Sequence, residues 1–230
     1  MFTTAEVRWF FEGPIPDEIE RWFYRSSLAH HAGPREDYYL LLPASLGLGL
    51  KLREGRLEMK TLVESRGIRA FTANAVGKVQ VWKKEAYGGP AVKEFERLRS
   101  SAPNLWLAVR KERTLRRFSL EGASIIEVPA DRVFLRDGCN AELAKVIVDG
   151  SAYWSFNFEA YGNPERVEDY VQQAAVHVLN DDRRPHLFKT SASSADSYSA
   201  ANSRSYVEWL VSVPSARTAA RARDPSARNR

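Results

Sequence analysis

Apolar and polar residues alternate along much of this chain. From Glu6 to Glu12, Val7, Trp9 and Phe11 fall on one face, and Glu6, Arg8, Phe10 and Glu12 on the other. A period of two is that of a β-strand, whose side chains point alternately to opposite sides. Gly47 to Leu62 repeats the pattern twice around a turn. Leu48, Leu50 and Leu52 oppose Lys51 and Arg53; Glu54-Gly55 follows; then Leu57 and Met59 oppose Glu58 and Lys60. That order predicts a hairpin. Further strands are predicted over Tyr38–Leu42, Lys78–Glu85 and Leu105–Arg113, with Arg116–Leu120 as the hairpin partner of the last. Ser124–Val128, Ala141–Val148 and Ala152–Glu159 complete the set, and Asp149-Gly150 is a turn between the final two.

Helical spacing occurs three times in the body. Ile19, Trp22 and Phe23 predict a helix from Asp17 to about Ser26, and Val92, Phe95 and Leu98 one from Ala91 to Arg99. Gly162-Asn163-Pro164 opens the third, with Asn163 as N-cap and an apolar stripe of Val167, Tyr170, Val171, Ala174 and Val178. The pattern thus predicts about eight or nine antiparallel strands with a few helices between them, an α+β chain. Strands with one apolar and one charged face suit a sheet with one solvated side. They equally suit a closed barrel with apolar residues outside, beneath helices, and charges within.

The organisation divides into residues 1–189, the predicted domain, and residues 190–230, a tail rich in Ser, Ala and Arg. Thr190–Ser205 has linker composition, Tyr206–Val211 could dock as a short helix, and the run beyond Pro214 is expected to be disordered. The chain has 230 residues, 44% hydrophobic and 27% charged, which excludes disorder of the whole. One cysteine, Cys139, excludes an internal disulfide, and a buried inert thiol is its expected state. No apolar run suits a membrane helix and no signal peptide is visible, so a cytoplasmic protein without membrane contact is the default.

Lys plus Arg number 34 against 29 Asp plus Glu, a formal charge of +5. Six arginines against Glu208 and Asp224 between Ser203 and Arg230 supply most of that excess, so the body is nearly neutral. Any anion site there must come from local arrangement. The tail is also the one place where a nucleic acid could be engaged. The charged strand faces carry Arg8, Lys51, Arg53, Lys60, Lys111 and Arg113, with Glu6, Glu58 and Glu159 as acids. Lys51/Arg53 and Lys111/Arg113 are spaced two apart, so each pair points one way. Converging cations repel unless an anion neutralises them, and arginine forks with lysine point charges match phosphate oxygens. The bland alternative is a set of solvated strand faces. His30-His31 lies in a loop-like stretch, His177 on the late helix, and neither a P-loop nor Gly-x-Gly-x-x-Gly occurs.

Leu50-Lys51-Leu52-Arg53-Glu54-Gly55 followed by Leu57-Glu58-Met59-Lys60-Thr61 resembles the CYTH superfamily of triphosphate tunnel proteins. Val109-Arg110-Lys111-Glu112-Arg113 resembles the family's later Lys-x-Arg strand, and Trp154–Gly162 its late acidic strand. The order of motifs covers roughly residues 5 to 180. The resemblance implies an antiparallel eight-stranded β tunnel with flanking helices that binds a triphosphate or polyphosphate compound with Mg²⁺ or Mn²⁺. Arg8, Lys51, Arg53, Lys60, Lys111 and Arg113 would grip phosphates. Glu6, Glu58 and Glu159 would be the metal acids, and Glu6 and Glu159 the catalytic ones. Two departures bear on catalysis. The family's Glu-x-Glu-x-Lys stands here as Glu6, Arg8 and Phe10, and its late Glu-x-Glu as Asn157-x-Glu159. The resemblance therefore implies either a metal-dependent triphosphatase-type phosphohydrolase or a non-catalytic relative that binds an anionic ligand or partner.

Overall fold

In a computed structural model of the chain, residues 2–122, 124–185 and 198–213 are described. The alternating segments are strands that close on one another. They run β1 (Phe2–Glu12), β2 (His30–Leu40), β3 (Leu48–Arg53), β4 (Arg56–Thr72), β5 (Ala75–Tyr87), β6 (Trp106–Ser119), β7 (Ile126–Val128), β8 (Gly138–Val148) and β9 (Ser151–Tyr161). The sheet order is β2-β3-β4-β5-β1-β9-β8-β6-β7, and a β2–β6 pairing joins its ends. Eight antiparallel strands thus form a barrel, with β7 added beside the far end of β6. Of the two architectures the alternation allows, the closed one is present, and closure leaves few edges.

The helices α1 (Asp17–Tyr24), α2 (Pro90–Ser101) and α3 (Val167–Leu179) explain why the apolar faces point outward. Val7, Trp9, Phe11, Phe156, Phe158 and Leu143 share one buried cluster with Ile19 and Phe23 of α1 and with Tyr170, Val171 and Ala174 of α3. Leu50, Leu52 and Leu57 form a smaller cluster with Val92 of α2, against which Phe95 and Met59 pack. The remaining face of each strand looks into the barrel. Gly77 permits close packing here, since a Cβ at that position would lie 2.7 Å from the Trp9 ring.

Both predicted tight turns are present. Glu54 and Gly55 have φ of 45° and 69°, and Asp149 and Gly150 have 46° and 75°, the paired positive φ of a type I′ hairpin turn. Other boundaries differ from expectation. Leu105–Arg113 and Arg116–Leu120 are joined in one continuous strand, β6, paired through residue 114 with neighbours on both sides. The second strand begins eight residues before Tyr38 and takes in His30 and His31, which pair with Leu115 and Thr114 of β6. Asn163 does not cap α3. Its Oδ1 accepts from Glu165 N–H at 3.0 Å in a turn before the helix, which starts at Val167.

The predicted linker also ends early. Residues 186–197 lie outside the described residues, as do 214–230, where the disordered run was expected. Residues 198–205, however, are fitted between β1 and β5 where those strands diverge. Tyr198 bridges to Ala75 and Ser203 to Trp9, and both residues are buried. The predicted short helix follows as α4 (Tyr206–Ser212), opened by a reciprocal capping box between Ser205 and Glu208. It packs on the inner faces of the strands, so 198–213 belongs to the barrel body.

Candidate functional site

Strand register decides which charges meet inside the barrel. Glu6 of β1 lies opposite Glu159 of β9, and Arg8 opposite Asn157. Asn157 in turn lies opposite Glu142 of β8, and Lys60 of β4 opposite Lys84 of β5. Like charges facing directly across a sheet repel, and the barrel resolves this by interleaving them. Lys60 Nζ donates to Glu6 and, at 3.3 Å, to Glu159, while Lys84 pairs with Glu159.

A second group surrounds Glu142. Arg8 reaches it at 3.1 Å and Arg113 at 3.3 Å, and Arg8 also donates to Ser155. Burial alone would raise the Glu142 carboxyl, but Arg8, Arg113 and Lys111 outweigh it and hold the group well below the usual carboxylate range. A third group surrounds Asp37. Arg53 grips it through two bonds, 2.8 and 2.7 Å, and Arg35 and Lys51 approach at 3.4 and 3.9 Å. Lys51 and Arg53 both extend to Glu58, at 3.0 and 3.2 Å. Against the cost of burial, Arg53 and Lys51 keep Asp37 ionised far into acid.

Arg8, Lys51, Arg53, Lys60, Lys111 and Arg113, with Glu6, Glu58 and Glu159, therefore all lie on the inner faces of the barrel strands. Glu6, Lys60 and Glu159 meet; Arg8 and Arg113 meet; Lys51, Arg53 and Glu58 meet. Glu58 does not stand beside Glu6 and Glu159, because register places it between Lys51 and Arg53. Among the described residues, no three His, Cys, Asp or Glu side chains gather as a metal-binding set. The carboxylates converge in pairs: Glu6 and Glu159 share Lys60, and Asp37 and Glu58 share Lys51 and Arg53.

Four lining residues escaped the sequence pattern: Arg35, Asp37, Lys84 and Glu142. Asp37 and Arg35 lie in the part of β2 not expected to be strand, although Asp37 is two residues before Tyr39. Glu142 is a lone acid among small and apolar residues, yet Asn140-x-Glu142 continues the inward alternation of β8. Lys84 follows Lys83, and only the register separates the inward from the outward lysine.

Together Arg8, Arg35, Lys51, Arg53, Lys60, Lys84, Lys111 and Arg113 face the carboxylates of Glu6, Asp37, Glu58, Glu142 and Glu159, an excess of three positive charges when all are ionised. The strain shows in the lysines. Burial, followed by Arg53, pushes Lys51 down to about 8. Burial, followed by Arg8 and Lys51 against the pull of Glu142, lowers Lys111 well below an ordinary lysine. The Nε donors of Arg8 and Arg113 are buried and bond to nothing. The other candidate residues do not join this chamber. His31 bonds Thr114 and Glu112, His177 touches Phe118, and Cys139 is buried with its thiol pushed up by burial. Trp9, Trp22, Trp106 and Trp154 pack in the outer clusters, whereas Trp82 lies beneath Lys60, 5.3 Å from its ammonium.

No protein-family model matches the sequence, and no curated protein matches it. Among the solved structures that match are two from Pyrococcus species. The PH1012 protein from Pyrococcus horikoshii OT3 has 13% identity and a TM-score of 0.38, over 77% of this chain and 92% of that one. A conserved hypothetical protein from Pyrococcus furiosus has 9% identity and a TM-score of 0.39, over 88% of this chain and 98% of that one. Among the described residues no helix is long and apolar enough to cross a membrane.

Proposed function

We propose that this chain is a CYTH-like protein that binds a triphosphate or polyphosphate compound in the charged half of its barrel. The carrying observation is the uncompensated cationic lining, in which buried arginine N–H groups of Arg8 and Arg113 lack acceptors. Phosphate oxygens would supply those acceptors and cancel the surplus charge, and an arginine–phosphate bond is among the stronger hydrogen bonds. Lys51, Arg53, Lys60, Lys84, Lys111 and Arg113 grip the phosphates in this reading, with Arg8 bridging from Glu142. A Mg²⁺ or Mn²⁺ ion would be held by Glu6 and Glu159, with the ligand's own phosphate oxygens completing its shell, as suits a hard cation with few protein carboxylates. When bound, such an ion would polarise phosphate oxygens. Arg8 and Asn157, at positions where the family carries acids, favour binding over turnover.

Calorimetry with tripolyphosphate, with and without Mg²⁺, tests the reading, with phosphate release followed in the same samples. Micromolar binding without release is the expected result. Binding with release assigns a phosphohydrolase. Absence of binding, with a Lys51→Ala/Arg53→Ala variant indistinguishable from wild type, overturns the phosphate reading.

The same site predicts a proton signature. A phosphate beside Lys51 favours its charged form and lifts it above about 8. Binding near pH 8 is therefore expected to take up protons, and affinity to fall as pH rises beyond it. Calorimetry in two buffers of different ionisation enthalpy reads the uptake directly, and zero uptake would contradict a lysine-lined phosphate site. In the unliganded protein the sign is opposite. Between about 8 and the ordinary lysine value of 10.5 the unfolded chain holds the Lys51 proton and the folded one does not, so stability rises with pH across that window.

A further inference from the structure

Lys51, Lys60, Lys84 and Lys111 line the barrel interior, and the first three are paired. Lys51 reaches Glu58 at 3.0 Å and Asp37 at 3.9 Å, Lys60 pairs with Glu6 and Glu159, and Lys84 with Glu159. Among the described residues, no carboxylate lies within ion-pair distance of Lys111. Its Nζ donates to the Tyr39 hydroxyl at 3.3 Å and sits 3.5 Å from the centroid of the Tyr206 ring. Strand register sets Val146 directly opposite, and Val109, Tyr39, Val146 and Trp209 share one buried apolar cluster. Lys111 itself is buried. Burial, with Arg8 and Lys51, favours the neutral amine against the pull of Glu142 and Asp37. A neutral lysine amine is a nucleophile.

The groups around this amine are short of an anion. The Nε of Arg8, the Nε of Arg113 and the Tyr206 hydroxyl are buried donors with no acceptor among the described residues. Arg113 follows Lys111 by two residues on the same face of β6, and the Arg8 guanidinium lies 5.4 Å from the ring that Lys111 touches. Buried donors normally find partners. A carboxylate carried on the Lys111 nitrogen would bring two acceptor oxygens to this cluster of donors and turn a surplus cation into an anion.

We propose that Lys111 is a carbamylation site for carbon dioxide. The amine lone pair attacks the carbon of carbon dioxide and an N–C bond forms. One C=O π pair moves onto oxygen, and one N–H proton is released to the buffer. The product is a lysine carbamate, and nothing is oxidised or reduced. Arg8, Arg113 and the Tyr206 phenol, kept protonated by burial, hold it. Glu142 and Asp37 oppose it, but each is already gripped by its own arginines. Carbamate and phosphate then occupy Lys111 in alternation, a consequence that rests on the phosphate reading above.

The test places the full chain in buffer equilibrated with isotope-labelled carbon dioxide and bicarbonate, against chloride at matched ionic strength. Carbon NMR of wild type is expected to show a carbamate resonance that saturates with carbon dioxide and that Lys111→Met lacks. Trapping with an alkyl oxonium reagent, followed by peptide mass spectrometry, is expected to place the adduct on Lys111. Tyr206→Phe keeps the ring and removes one donor. Its half-occupancy is expected to need roughly tenfold more carbon dioxide, the scale of a hydrogen bond to a charged group. Saturating carbon dioxide is expected to weaken tripolyphosphate binding several-fold in wild type and to leave the weaker binding of Lys111→Met where it was. Absence of a Lys111-dependent resonance, or an adduct found only on other amines, overturns the proposal. If tripolyphosphate still binds, the phosphate reading stands. A Lys111 carbamate in a chain that does not bind tripolyphosphate supports this proposal and overturns that reading instead.

Discussion

Lys111→Met is expected to raise the melting temperature of the unliganded protein and to weaken tripolyphosphate binding at least tenfold. The two effects share one cause. Lys111 is buried, and its ammonium contacts the Tyr39 hydroxyl at 3.3 Å and the Tyr206 ring rather than an ion-paired carboxylate. Burial and the neighbouring Arg8 and Lys51 all disfavour its charge. Methionine fills a similar volume and removes a charge that costs the empty barrel stability, a gain on the order of 1 kcal/mol or a few degrees. The same charge has its partner only when phosphate is present, and a charge-assisted bond is worth about 1.5–3 kcal/mol, tenfold or more in affinity. Thermal melting and calorimetry on one preparation check both signs. A variant that melts lower and binds as well as wild type would make Lys111 a structural residue instead.

That opposition explains how much of the protein could be read from its sequence. The strands and their charged faces followed from period-two alternation and two turn dipeptides, because a pleat sends each charged residue to the same side as its neighbour two along; alternation suited an open sheet and a closed barrel equally, and the closed eight-stranded form was what the resemblance implied. Arg8, Lys51, Arg53 and Lys60 were legible on that basis, with Glu6, Glu58 and Glu159 beside them. What alternation cannot supply is register. Glu6 stands opposite Glu159, and Glu58 stands away from both, only because β1 pairs β9 and β3 pairs β4 with particular offsets. Glu142 was hidden for a related reason. A single acid in a strand of Asn, Ala, Leu and Val carries no periodic signal, and its importance comes from Arg8 and Arg113 on other strands. The Ser-rich stretch misled in the opposite direction. Composition alone suggested a linker, but Ser203 and Ser205 are buried because their hydroxyls serve backbone groups that β1 and β5 leave unpaired and the cap of α4. Ser203 Oγ accepts from Lys78 N–H at 2.8 Å and donates to Arg8 O at 3.0 Å, and Ser205 Oγ accepts from Glu208 N–H at 3.1 Å.

Glu142→Gln is expected to behave as the mirror image of Lys111→Met, losing stability while gaining affinity. Glutamine keeps the shape and can still accept from Arg8, so the change is one of charge. Without the carboxylate, Arg8, Arg113 and Lys111 face one another with no negative charge between them, and breaking a buried pair by removing one partner costs about 3–5 kcal/mol. For a chain of this size that is a fall on the order of 10 °C. Tripolyphosphate should then rescue the variant more than it stabilises wild type. A ligand at a hundred times its Kd adds about 2.7 kcal/mol, and the variant's Kd is lower because the chamber is one charge more positive. Acid titration separates this electrostatic account from a simple packing defect. Glu142 is held below its ordinary value of 4.5, so in wild type its contribution is complete above that value and is lost as pH falls below it, where the unfolded chain binds the proton first. In Glu142→Gln that part of the slope is absent, and stability measured from pH 5 down to pH 3 falls less steeply than in wild type. A packing defect would lower the whole curve and leave its slope intact. It would also leave tripolyphosphate with no larger effect on the variant than on the parent, because only an unbalanced charge gives the anion more to neutralise.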